Sequence, residues 1–526
     1  MSLARRLAPG LFALSATVLV SPVPAQVVRI AGEFRVNVYT TNRQWQAAVA
    51  SDADGDFVVV WESTAAQDGE AYGLFGRRYT SLGAPVGAEF QVNVFTLDSQ
   101  SSPSIVAQPD GDFIVAWRSR NQDGGGDGVF ARRFDSAGGS IASEFQVNVA
   151  TVHVQNTPAV ALDPDGDFVI VWQSYGQDNH RFGVFSRRFS SDGAAIGTEF
   201  QVNLYTTLEQ FRPAIAIEPD GDFMIAWQSN GQDDPFAGAF GRLFASTGAA
   251  VGGEFQINSF TAGYQEWPAV TMSAGNFIVA WSSAAQDGSQ YGVFARRFST
   301  SGAALASEFQ VNTYTSTSQR YAAISADADG DFVLVWHSNA QDGASYGIFG
   351  RRFSSAGGPL AVEFRVNTYT TSYQRLPAVA AEANGDFVVA WSSSSQDGSA
   401  EGIFAQRYGQ FSLVDIDANG AITPLTDGLL LLRSLFGFTG ASLTTGAVGG
   451  GCTRCDATAI KTYTDGLVPL VDVDGNGATA PLTDGLLVLR RLFGFGGATL
   501  TTGAVGGGCT RCTAVPIEGY LAWLGV

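Results

Sequence analysis

Seven tryptophans recur along the chain, at Trp61, Trp117, Trp172, Trp227, Trp281, Trp336 and Trp391, spaced 54 to 56 residues apart. Each closes a short apolar run. A second anchor, Glu-Phe-(Gln/Arg)-(Val/Ile)-Asn, keeps the same period, with its aromatic at Phe34, Phe90, Phe145, Phe200, Phe255, Phe309 and Phe364. Self-similarity at this period marks a propeller, solenoid or array, in which no single copy buries its own apolar face.

The repeat from Pro158 to Tyr205 shows what one copy builds. Pro158-Ala-Val-Ala-Leu162 is a short apolar strand A, ended by the tight turn Asp163-Pro-Asp-Gly166. Phe168 to Trp172 is strand B, apolar on both faces and therefore covered on both. Gly183 to Phe189 is strand C, and Glu199 to Tyr205 is strand D. Four short strands with turn signals between them make an antiparallel meander.

The ends of the array select among the stacked architectures. A copy of strand D, Glu33 to Tyr39, precedes any A, B or C strand, and the last copy, Pro377 to Tyr408, lacks a D strand. In a ring, the N-terminal D strand completes the final blade and removes both open edges. An open solenoid would carry polar capping repeats instead. The fold class expected is all-β: a seven-bladed β-propeller over residues 26–411, followed by a small, mainly α calcium-loop domain over 412–526.

Residues 1–25 read as a secretory signal: Arg5 and Arg6, an apolar stretch from Leu11 to Val20, then Val23-Pro-Ala25. No later run is long and apolar enough to span a bilayer. The formal charge is −19 with 15% charged residues, and Lys461 is the one lysine. That balance argues against nucleic acid and anionic membrane surfaces as partners, and suits an exported protein.

After Phe411 the pattern changes to loop plus helix, twice, at an offset of 57 residues. The first unit is Asp415-Ile-Asp417-Ala-Asn419-Gly420-Ala421, then Pro424-Leu-Thr-Asp427-Gly-Leu-Leu-Leu-Leu-Arg433. The second is Asp472-Val-Asp474-Gly-Asn476-Gly477-Ala478, then Pro481-Leu-Thr-Asp484-Gly-Leu-Leu-Val-Leu-Arg490. Oxygen ligands at positions 1, 3 and 5, a glycine at 6 and a carbonyl at 7 are how a hard cation is wrapped. Thr426 and Thr483 read as N-caps, and Gly437 and Gly494 as helix stops.

This pattern resembles the calcium loop-helix of dockerin modules and the EF-hand-like tails of secreted bacterial proteins. The resemblance covers roughly the last fifth of the chain. It implies about two Ca²⁺ ions, with Asp415, Asp417, Asn419, Asp427, Asp472, Asp474, Asn476 and Asp484 as ligands beside the carbonyls of Ala421 and Ala478. Two departures stand out. The last acid falls one place late, and a Gly-rich insertion with a cysteine pair separates the loops. Calcium binding survives these departures better than partner docking does.

The only cysteines are Cys452, Cys455, Cys509 and Cys512, two Cys-x-x-Cys pairs. Export favours disulfides, within or between the pairs, over a zinc site.

On the propeller, the D–A and B–C loops share one face. They carry a glutamine in every blade (Gln44 to Gln374) and a Gln-Asp pair in every blade (67–68 to 396–397). Use in all seven blades favours a structural role, since specific sites usually break local rules. The acids of the A–B turns, such as Asp52, Asp54 and Asp56, read as turn chemistry. Departures from the repeat are the better guide. On the D–A/B–C face these are His153, Tyr175, His180, Arg181, Arg212, Trp267 and Arg375, with His337 beside them.

Two functions compete. The first is an exported non-enzymatic binding, adhesion or scaffold protein, its propeller face holding a carbohydrate or extracellular protein and its calcium-ordered tail mediating attachment. The alternative is a polysaccharide-active enzyme, a glycoside hydrolase or lyase, with a dockerin-like appendage. Unlike carboxylates converging at the channel mouth would favour the enzyme, and a symmetric rim would favour binding.

Overall fold

A computed structural model describes residues 27–64, 67–69, 71–233, 235–343, 345–409 and 413–526. The signal segment and the 411/412 boundary lie outside them. The chain forms seven four-stranded antiparallel blades. The first blade runs Gln44–Ser51, Phe57–Thr64, Tyr72–Tyr79 and Pro85–Gln91, and six more follow in the same order. Each innermost strand A contacts the next, and that of the seventh blade (Gln374–Ala381) contacts that of the first, so the ring is closed.

Closure uses the N-terminal segment. Val28–Arg29 and Phe34–Arg35 both pair with the last C strand, Glu401–Gly409, with Phe34 opposite Ala405. The segment also makes the polar links of a D strand. Asn37 Oδ1 accepts the Ile403 amide at 2.7 Å, and Glu33 accepts from Gln396 and from the Thr368 amide of the sixth blade.

The seven tryptophans fill the gaps between blades, each fully buried. Seven apolar clusters, each drawn from two neighbouring blades, are the core; Trp61 packs with Val36, Val388 and Ile403 across the joint. Burying a side chain of this size contributes roughly 2–3 kcal/mol. Arginine doublets staple the blades from outside. Arg132 donates to the Val92 carbonyl of the preceding blade, and Arg133 to the Asp192 carbonyl of the next. Some of these guanidinium groups reach two carbonyls at once, as Arg187 does to Gly197 and Val147.

The observed strand limits differ from the sequence reading in all four strands: B runs on to Tyr175 and C opens one residue earlier, at Phe182. Strand A begins earlier, at Gln155 rather than Pro158, with that glutamine buried. Strand D lies earlier too, Ala195–Gln201 rather than Glu199–Tyr205. It ends because Asn203 takes over the pairing: its Oδ1 accepts the Val184 amide and its Nδ2 donates to the Tyr205 carbonyl, a side chain replacing the ladder.

D strands come in two forms, and one position decides which. The first, third and fourth blades have Gly87, Gly197 and Gly252 at φ of 80–86°, and their D strands run seven residues through a bulge. Ala142, Ala306 and Ala361 stand there in the second, fifth and sixth blades, where the strand shrinks to two residues and an isolated bridge upstream, such as Phe134 with Ser140. Ala31 does the same at the joint and splits the strand in two.

The C-terminal region is a small helical unit with pseudo-twofold character. Helices Leu429–Leu435 and Leu486–Leu492 pack on each other, Gly428 against Leu489 and Gly485 against Leu432. Arg454 stacks on Tyr463 and Arg511 on Tyr520 in the two halves. Two disulfides form within the pairs, Cys452–Cys455 and Cys509–Cys512, and no free cysteine remains. No helix among the described residues is long and apolar enough to cross a membrane.

The unit packs on the joint of the ring. Ile30 and Ala84 share its core with Leu413, Ile460 and Leu467, and the Leu413 amide donates to the Ile30 carbonyl.

Candidate functional site

The seven-fold polar rim is structural. Each Gln of the Gln-Asp pairs donates to the D-strand Glu of its own blade, as Gln122 does to Glu144 at 2.7 Å. That Glu accepts two amides of the preceding blade, Val94 and Phe95. The A–B acids are structural as well: Asp112 Oδ1 accepts the Ser136 amide, tying the A–B turn to the C–D turn.

What differs between blades is concentrated at one level. In every strand A the ladder slips just after the buried glutamine, and the residue at the slip has φ of 52–57°. These residues are Gln46, Ser102, Thr157, Arg212, Trp267, Tyr321 and Leu376. None is glycine, so each stores backbone strain of order 1–3 kcal/mol that the surroundings must hold. In four blades the holding partner is a strand-B side chain of the preceding blade. Glu62 accepts the Ser102 amide at 2.6 Å, Gln173 that of Arg212, Ser282 that of Tyr321 and Ser392 that of Gln46.

These bulges aim unlike side chains at the D–A/B–C mouth of the channel, where they form a belt. The Arg212 guanidinium lies 3.4 Å above the Trp267 ring and donates to Gln228 Oε1 at 3.1 Å. Trp267 meets Tyr321, Tyr321 meets His337, and His337 meets Tyr346, at centroid distances of 4.3, 4.8 and 4.8 Å. Arg320 pairs with Glu266 and covers the Tyr291 ring at 4.0 Å. Arg375 and Arg43 both pair with Glu401, and Arg43 covers Trp45 at 3.7 Å.

The electrostatics are uneven. Burial pushes the Glu62 carboxyl up to about 7, against the lowering effects of the Ser102 amide and the nearby Arg118. Burial, with Arg320 and Arg375 close by, pushes His337 down to about 3. An imidazole so held is neutral near neutrality.

Of the sequence-derived face residues, Arg212, Trp267 and Arg375 join this belt. His153 and Tyr175 meet edge to face at 6.0 Å, and Arg181 pairs with Glu209; Tyr175 ends a B strand and the others sit on loops of the third and fourth blades. His180 is exposed, its amide on Asp178. Sequence reasoning missed Trp45, Glu62, Glu266, Arg320, Tyr321 and Glu401. The signal was present: the two positions after the recurrent Gln, the one after the recurrent Trp and the one that opens strand C change from blade to blade.

The opposite mouth differs in kind. A cavity of about 350 Å³ lies there, lined by Ala107, Leu162, Ile217, Met272 and the prolines of the A–B turns. Burial and the neighbouring turn acids raise Asp52, Asp163 and Glu218, the last to about 7.

In the helical unit, carboxylate oxygens of Asp415, Asp417 and Asp427 lie within 4.8 Å of one another, and those of Asp472, Asp474 and Asp484 do the same. The first three are buried. Asp415 accepts the Asn419 and Gly420 amides, and Asn419 Oδ1 accepts that of Ala421; Asp472, Asn476, Gly477 and Ala478 repeat this pattern. Asp427 and Asp484 each cross the loop to two amides on its far side, Asp427 to Ile416 and Asp417. Asp417 Oδ1 is buried with no hydrogen-bond partner among the described residues. Three close carboxylates with one oxygen unsatisfied fit a hard divalent cation.

The helices start at Pro424 and Pro481, with Thr423 and Ala480 as caps in place of Thr426 and Thr483. The threonine hydroxyls bond instead to Asp427 and Asp484.

No family model matches the chain, and no curated protein matches it. Solved structures do. A protein of unknown function from Dyadobacter fermentans aligns at 9% identity and TM-score 0.46, over 73% of this chain and 99% of its own. The α-L-arabinofuranosidase of Fusarium graminearum aligns at 11% identity and TM-score 0.40, over 72% and 97%. The α-L-arabinanase of Penicillium chrysogenum aligns at 11% and 0.38, over 59% and 94%.

Proposed function

We propose that the D–A/B–C mouth is a carbohydrate site on an exported protein, and that its chemistry is glycoside cleavage. The supporting observation is the set of unlike carboxylates that breaks the seven-fold rule there. Glu62 keeps its proton to about pH 7, whereas Glu266 is held by Arg320. Carboxyl groups in environments of opposite character are what acid-assisted departure of a sugar alcohol requires. Glu266 is the more open of the two, its side chain 15% exposed. The test is release of reducing sugar from a panel of neutral and acidic polysaccharides. Glu266→Gln should lower turnover at least about a hundredfold, as loss of an acid–base group does. Absence of turnover on every polymer rejects cleavage.

One observation favours display without cleavage: Glu62 is only 1% exposed, beside Trp45. Binding of a glycan without turnover would establish that reading.

For the tail, we propose that each loop takes one Ca²⁺, bound by Asp415, Asp417, Asn419 and Asp427 with the Ala421 carbonyl, and by Asp472, Asp474, Asn476 and Asp484 with the Ala478 carbonyl. The ion would neutralise the clustered carboxylates and fix the loops. Attachment to a surface or partner is the role this module would serve, and two disulfides suit an oxidising, extracellular setting.

A further inference from the structure

We propose that the ligand of the channel mouth is an anionic glycan, one bearing carboxylate or sulfate groups, and that Arg212 receives its charge. The inference rests on the carbohydrate reading of this mouth and adds the class of sugar.

The chain carries −19, yet five arginines, Arg43, Arg118, Arg212, Arg320 and Arg375, gather at or beside the bulge level of this one mouth. Other propeller arginines, such as Arg132, Arg133, Arg187 and Arg188, are staples between blades, spent on backbone carbonyls. Four of the five are paired: Arg43 and Arg375 with Glu401, Arg118 with Asp127, Arg320 with Glu266. Arg212 forms no ion pair among the described residues. Its one side-chain hydrogen bond goes to the neutral Gln228 amide oxygen.

Three of these guanidinium groups are pinned face-down on aromatic rings, at 3.4 Å on Trp267, 3.7 Å on Trp45 and 4.0 Å on Tyr291. Stacking uses the face of a guanidinium and leaves its in-plane N–H donors, the edge that matches a carboxylate or sulfate in bidentate fashion. It also removes the rotamer freedom that a flexible cation would lose on binding. The Arg212 backbone is fixed too, by the positive-φ bulge and the bond from its amide to Gln173 Oε1. A rigid, stacked guanidinium, whose nearest acid Glu266 is already paired with Arg320, is built to meet an anion. The same covering makes the Trp45 and Trp267 faces poor platforms for a neutral sugar ring, since cations already lie on them.

The test is calorimetric titration of the full-length protein with three oligosaccharide sets: polygalacturonate for carboxylate, carrageenan for sulfate, and arabinan as the neutral arm. An anionic set should bind at least about tenfold more tightly than the neutral one, the two anionic arms deciding which group is recognised. Arg212→Gln should lose about ten- to a hundredfold of that affinity, the worth of a charge-assisted hydrogen bond. Arg212→Lys keeps the charge, lacks the fork and should recover only part of it. Unchanged thermal melting of both variants separates this from misfolding. Neutral glycan binding as tightly as anionic overturns the anionic assignment and leaves the carbohydrate site standing. Anionic binding that Arg212→Gln leaves intact overturns the role of Arg212. Failure of all three sets to bind overturns both.

Discussion

Phe34 stands opposite Ala405 in the outer ladder of the seventh blade, so the two ends of the propeller are joined by backbone hydrogen bonds rather than by chain. Deleting residues 27–40 removes this strand, the buried Val36 and the Glu33 links. The loss should exceed about 4 kcal/mol, because it opens a core cluster and exposes the edge of the last C strand. Denaturant unfolding measures it, with deletion of three residues from the exposed 178–181 loop as the control, expected within about 1 kcal/mol of the parent.

Trp117 is fully buried between the first two blades, and its indole N–H has no hydrogen-bond partner among the described residues. Trp117→Ala should therefore cost about 3–5 kcal/mol by cavity formation. Trp117→Phe keeps most of the volume and forfeits no hydrogen bond, so it should cost under half as much. Equal losses in chemical denaturation would show that the N–H matters.

Glu62 gives a signed pH dependence. Its folded-state pKa, about 7, lies above the ordinary value of 4.5. The proton is thus held more tightly in the folded chain, and the stability this gives is full below pH 4.5 and lost as pH rises to about 7. Glu62→Gln mimics the protonated form and can still accept the Ser102 amide. Relative to the parent, the variant should gain stability across pH 4.5–7, by up to about 3 kcal/mol, and then level off. Parallel curves for the two proteins would sink the assignment.

The loops of the helical unit should take up about two Ca²⁺ ions by calorimetry, and Asp417→Asn should remove one. Chelation should lower the melting temperature of the unit, since an ion at a hundred times its dissociation constant stabilises by about 2.7 kcal/mol. A full-length protein that shows no heat of Ca²⁺ binding rejects the ion site.

The ring was legible because its evidence is periodic: seven tryptophans, seven Glu-Phe anchors and one D strand out of phase. The mouth was harder to read for the same reason. Arg212 and Trp267 stood out as departures, but Glu62 and Glu266 lie in strands whose pattern looks regular, Glu62 on strand B against the bulge of the next blade and Glu266 just ahead of its own. The length of strand D depended on Gly87 against Ala142, a one-atom difference visible in sequence but meaningless until φ was known. The caps at Thr423 and Ala480 were missed because a wide first helical turn starts at proline, two residues ahead of the threonines.

The helical unit bears on both sides of the joint, with Ile30 from the closing strand and Leu82 and Ala84 from the first blade against it. It works as a clasp over a zipper. The residues that complete the core of the helical unit are thus the ones that cover the seam where the circle is fastened, so tail and latch share one buried surface.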